Sequence, residues 1–181
     1  MAPALMVRLL LVLLVLSGCA AQPDSTTLRG DPLDVMFLQM MIPHHEQGVS
    51  MVALAADRAA DADVRMLAAA ISSTQATEIG TMKGWLTSWG APMTAPPDAH
   101  LDHGGMRRSD PEEIGRLSGL TGAEFDRRLL NVLIAHQDDA VQMARWEAGS
   151  GAKQEVRDLA GRIERSRVAQ IEMMKGFLGR A

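Results

Sequence analysis

The stretch Met40-Met41-Ile42-Pro43-His44-His45-Glu46-Gln47-Gly48-Val49-Ser50-Met51 gathers imidazole and thioether groups within a few helical turns. At 3.6 residues per turn, Met40, His44 and Met51 share a face with Leu33, Phe37 and Ala55, which puts His44 in an apolar seam. A buried imidazole left unpaired costs about 1 to 3 kcal/mol, so His44 must meet a polar partner or a metal ion. Imidazole with thioether is a donor set that selects Cu(I) over hard cations. His45 lies about 100° further round the helix and is expected at a rim, partly exposed. Pro43 cannot donate to the Gln39 carbonyl, which predicts a kink one residue before His44.

The elements that must carry these groups are helices. The chain has 181 residues, no Tyr and only 3% aromatic residues, and Leu, Ala and Met are abundant, so helix packing is favoured over a β-sandwich. Asp31-Pro32 opens a first helix as N-cap and N1, running to Arg58 or Ala59. Asp61 caps a second, with Val64, Leu67, Ile71, Glu78, Met82 and Trp85 on one face and a stop near Gly90. Asp110-Pro111 starts a short helix that ends near Gly119. Thr121 and Glu124 have capping-box spacing and open a long helix whose seam is Phe125, Leu129, Val132, His136 and Met143. Gly149-Ser150-Gly151 breaks it, and a last helix runs to Leu178 with Val156, Leu159, Ile163, Gln170, Met174 and Phe177 in its seam.

The second pair of long helices repeats the first at one constant offset. Leu33 matches Phe125, Asp34 matches Asp126, His44 matches His136, Met51 matches Met143, and Met82-Lys83-Gly84-Trp85-Leu86 matches Met174-Lys175-Gly176-Phe177-Leu178. Two alike hairpins with apolar faces bury them against each other, so the expected fold is an all-α four-helix bundle with a pseudo-twofold axis. Its limits are 31–181, with repeat one at 31–90, a linker with a short helix at 91–120 and repeat two at 121–179. In antiparallel register His44 lies level with about residue 76, beside Gln75 and Glu78, and His136 lies level with Arg167 and Gln170. The candidate core site is therefore His44, His136, Glu78, Met82 and Met174, with His45, Met51 and Met143 as further candidate metal ligands. The competing arrangement hydrogen-bonds a buried histidine to Glu78 and uses the methionines as core filler. A second candidate metal site is the linker, where His100, His103 and Met106 recur every third residue.

Met41-Ile42-Pro43-His44-His45 with Met51, followed by Gln75-Ala76-Thr77-Glu78-Ile79 with Met82, resembles the domain-of-unknown-function 305 family over residues 31–179. The resemblance implies a ferritin-like four-helix fold, export from the cytoplasm and kinship with copper-binding periplasmic proteins. The second half departs from the pattern, with Gln137 in place of the second histidine and Arg167 in place of the glutamine matched by Gln75.

The first 18 residues read as a secretory signal: Arg8, the apolar run Leu9 to Leu16, then Ser17 and Gly18. Leu16-Ser17-Gly18-Cys19 resembles a bacterial lipobox, so Cys19, the single cysteine, is the expected lipidation site and 19–30 a tether. A net charge of −4 argues against nucleic acid. No inward Glu-x-x-His pair, nucleophile motif or phosphate loop supports an enzyme. The sequence thus points to an extracytoplasmic, membrane-anchored protein that binds copper for sequestration or handover. The alternative is a structural or protein-interaction bundle whose core histidines bind no metal.

Overall fold

The computed structural model describes residues 29–95 and 110–180, and its helices are α1 (Pro32–Ala53), α2 (Ala55–Arg58), α3 (Ala62–Ser88), α4 (Pro111–Leu117), α5 (Gly122–Ser150) and α6 (Gln154–Leu178). The described residues contain no strand. Helices α1 and α3 form one hairpin and α5 and α6 the other, joined face to face mainly through α1 and α5. None of these helices is long and apolar enough to cross a membrane.

Local chemistry sets most of the helix ends. Asp31, Asp61 and Asp110 each accept a hydrogen bond from the backbone N–H two residues on, at 2.9, 2.7 and 2.9 Å. Gly90, at φ 63°, closes α3: Gly90 N–H reaches the Thr87 carbonyl and Ala91 N–H the Leu86 carbonyl. Three expectations fail. Thr121 makes no side-chain cap bond, so the capping box at α5 does not form. The first helix is interrupted at Leu54, where its N–H turns back to the Met51 carbonyl, and the remaining turn becomes α2. It does continue unbroken through Pro43. Leu33, placed in the seam by periodicity, is 37% exposed because it stands in the first turn, beyond the end of the core.

The two hairpins grip each other through matched aspartates. Asp126, near the start of α5, accepts from the N–H groups of Ala60 and Asp61 at 3.1 and 2.8 Å, at the turn of the first hairpin. Asp34, near the start of α1, accepts from Ala152 and Lys153 at 3.0 and 3.1 Å, at the turn of the second. Each buried carboxylate satisfies donors that a helix start leaves without partners.

Between these ends the core divides. One apolar cluster holds Met51, Ile71, Phe125, Leu129, Leu133, Ile171 and Met174, with Leu117 of α4 sealed into it. The other holds Phe37, Met41, Ile42, Met82, Leu86, Ala144 and Ile163. Along each long helix one set of buried polar residues falls between the two: His44 and His45 on α1, Gln75 and Glu78 on α3, His136 and Gln137 on α5, and Arg167 on α6.

Candidate metal centre

That intervening layer consists of His44, His45, Gln75, Glu78, His136, Gln137 and Arg167, all buried. Helix α1 supplies both histidines because it packs on α3 along one side and on α5 along the other. His44 faces α5, where its ring stacks on His136 with centroids 3.8 Å apart and planes 13° from parallel. His45, turned about 100° away, points to the opposite neighbours. Its Nε2 donates to Glu78 Oε2 at 2.8 Å, and Arg167 of α6 donates to the same carboxylate. Arg167 Nη2 also lies 3.4 Å from His45 Nε2. The expected exposure of His45 is therefore wrong: it is 0% exposed, since a helix flanked on two sides has no rim at that angle. The buried histidine bonded to Glu78 is thus His45, and not the His44 that the antiparallel register set beside it.

Close packing around the layer depends on Gly48. A Cβ there would collide with the Gln75 side-chain amide and press on His136 Nε2. One turn after His44, a side chain here would have to displace the Gln75 amide and the His136 ring from the layer.

Burial holds all three imidazoles neutral. His44 is pushed well below the usual imidazole range by loss of solvent and then by His136, His45 and Arg167. His136 is brought down to about 3 by burial, with His45 and Arg167 adding to it. For His45 burial also lowers the pKa, against the raising effect of its bond to Glu78. Burial raises Glu78, but the His45 bond and the Arg167 charge outweigh it and keep the carboxylate ionised below its ordinary range. The bond to Glu78 assigns the His45 proton to Nε2, leaving the lone pair on Nδ1.

Three buried nitrogens, His44 Nδ1, His44 Nε2 and His45 Nδ1, have no hydrogen-bond partner. Such atoms call for an occupant, and neutral imidazole with a carboxylate behind it is a soft-to-borderline metal ligand. The residues thus fit a copper ion in donor chemistry. Their arrangement limits how. An imidazole nitrogen coordinates in its ring plane, so the parallel His44 and His136 rings cannot both aim at one ion unless one of them turns. Among the described residues no three His, Cys, Asp or Glu side chains already surround a point where an ion would sit.

The other candidates disperse. Met51 and Met174 belong to one apolar cluster, while Met82 and the half-buried Met143 pack in the other. The thioethers therefore lie to either side of the imidazole layer instead of forming one ring within it. His100, His103, Met106 and Cys19 lie outside the described residues. A groove between α4 and α5 is lined by Glu113, Arg128, Asp139 and His136, the last of these a member of the layer.

Two buried polar residues escaped the sequence reading as site members. Arg167 occupies a seam position four residues after Ile163, a spacing that marks it as interior. Glu147, four residues after Met143, is likewise on the seam of α5 and is 0% exposed beside Asp34.

Comparison with known proteins agrees with this architecture. The model of a domain of unknown function, DUF305, matches residues 34–178. The chain belongs to the DUF305 family. A putative secreted DUF305 protein of Streptomyces coelicolor shares 28% identity, with a TM-score of 0.78 over 82% of this chain and 93% of that one. A DUF305 fragment from Deinococcus radiodurans shares 30% identity, with a TM-score of 0.74 over 84% and 99%. CopM in its Cu(I)-bound form shares 28% identity, with a TM-score of 0.69 over 81% and 96%. CopM has also been solved with Cu(II) and with silver. No curated protein sequence matches this DUF305 chain.

Proposed function

We propose that this DUF305 protein is an exported, membrane-anchored metal-binding protein that takes copper, Cu(I) above all, as cargo for sequestration or handover. The observation that carries this reading is the set of partnerless nitrogens on His44 and His45 in the buried layer. A buried polar atom with nothing to bind is costly, and a soft ion on neutral imidazole removes that cost. The copper and silver forms of CopM support the same direction. So does the secreted DUF305 neighbour, together with a lipobox-like segment ending at Cys19. Lipidation would use the only thiol, leaving imidazole and thioether as the soft donors. No reaction is assigned to the protein.

One observation favours the alternative of a metal-free structural bundle. Glu78, His45 and Arg167 already satisfy much of one another, as a purely structural network would. The test is Cu(I) titration of the chain from residue 20 onward, which keeps every described residue, beside a variant carrying both His44→Ala and His136→Ala. Tight binding lost in the variant is the expected result. Stoichiometry and affinity unchanged in the variant would move the ion out of the layer, and no uptake by either protein would make the histidines structural.

A further inference from the structure

Resting on the reading of this layer as an ion site, we propose that Arg167 sets the charge of the ion, admitting a monovalent cation and turning away a divalent one. Arg167 is fully buried and its guanidinium ion-pairs with Glu78 across the bundle. Its counterpart in the first repeat is the neutral Gln75, so the buried cation is a property of the second hairpin alone. The charge of Glu78 is consequently answered before any ion arrives.

With neutral imidazoles, a Glu78 carboxylate and an Arg167 guanidinium, the layer carries no net charge. An entering ion adds its whole charge to a space sealed above and below by apolar clusters. The cost of burying an uncompensated charge grows with its square, so a divalent ion meets about four times the penalty of a monovalent one. Repulsion from Arg167 itself is doubled for the divalent ion. Donor softness selects copper or silver over hard cations, but it says little about ionic charge. The guanidinium supplies that second criterion. It is a specificity-setting group which need not touch the ion.

The experiment uses the purified full chain, with Ag(I) as an air-stable monovalent probe and Zn(II) as the divalent one. Competition titrations give the ratio of the two affinities. Because the Arg167 variants alter no imidazole, thioether or carboxylate, a change of the ratio in them reports charge. Arg167→Gln leaves Glu78 unneutralised, and the Ag(I)-to-Zn(II) ratio is expected to fall by about tenfold or more. Glu78→Gln leaves Arg167 unanswered, and the ratio is expected to rise. Arg167→Lys keeps the charge and restores the ratio to within about threefold of wild type. Circular dichroism and thermal unfolding without metal verify that each variant is folded. If Arg167→Gln does not fold, Arg167→Met, which fills the apolar volume without the charge, takes its place and the same fall in the ratio is expected. Ratios that stay put in folded Arg167→Gln or Glu78→Gln overturn the role of Arg167. A wild-type chain that takes up neither ion instead overturns the layer as an ion site.

Discussion

The two hairpins share a scaffold and differ in chemistry. At equivalent positions the first carries His45 donating to the Glu78 carboxylate at 2.8 Å, while the second carries Gln137 donating to Gln170 at 2.7 Å. Both members change together, so the bond between helices survives and the charge disappears. Gln75 in the first becomes Arg167 in the second, which reaches across to the first hairpin's carboxylate. Ala55 becomes Glu147. By contrast Asp34 and Asp126 perform the same service for one another's turns. Duplication fixed the contacts that assemble the bundle, and the unlike residues placed all the ionised groups of the layer against one carboxylate.

The contrast is broken most forcefully at Glu78. Glu78→Ala leaves Arg167 buried without its counter-charge, which is expected to cost about 3 to 5 kcal/mol. Gln170→Ala removes a neutral amide bond at the matching position and is expected to cost about 1 kcal/mol. Chemical denaturation of both variants measures the difference. Equal losses would mean that the two pairs are interchangeable and that the layer's asymmetry has no energetic content.

The second difference is one of pH. Burial, then the Asp34 carboxylate and the Asp31 charge, push Glu147 up to about 8 from 4.5, with Arg157 opposing them. An acid raised in the folded state binds its proton better there than in the unfolded chain. Its contribution to stability is therefore present below about pH 4.5 and is lost as pH rises through about 8. His136, brought down from 6.5 to about 3, acts in the opposite sense. Its contribution is present above about pH 6.5 and is lost as pH falls toward 3. Stability should thus decline on both sides, with the alkaline decline belonging to the α5–α6 turn and the acid decline to the layer. Urea midpoints from about pH 5 to 9 test the assignment: Glu147→Gln should flatten the alkaline limb alone. Parallel curves for variant and wild type would remove Glu147 from the account.

Much of this was legible in the sequence. The aspartate caps, the glycine stop at residue 90 and the constant offset between repeats fix the bundle from short-range rules. The antiparallel register brings Glu78 beside the first hairpin's histidines and Arg167 level with His136. What escaped depends on a third neighbour. His45 reads as a rim residue on a helix with one buried face, and only the simultaneous approach of α3 and α6 gives it Glu78 and Arg167. Asp34 and Asp126 stand out as repeated, but their partners are in the opposite hairpin, so no local pattern reveals their bonds. Glu147 had a signal in the seam spacing, hidden by its residue type. Periodicity likewise put the methionines on the histidine face without distinguishing the layer from the apolar clusters on either side of it.

The smallest effect separates the starts of the two hairpins. Asp31 caps α1 through the Leu33 N–H at 2.9 Å, whereas Thr121 stands at the same place before α5 and makes no such bond. Asp31→Ala is expected to cost about 1 kcal/mol, less a few tenths recovered because Asp31 repels a charged Glu147. That recovery should appear only as pH rises through about 8, where Glu147 ionises in the folded chain, and should vanish at lower pH, where folded Glu147 is neutral. Thr121→Ala is expected to cost about 0.3 kcal/mol or less at any pH. Gly122, at φ 67°, already turns the chain into α5, and the hydroxyl adds nothing to that turn. A loss near 1 kcal/mol for Thr121→Ala would show that the capping bond forms in solution and that the two hairpins begin alike.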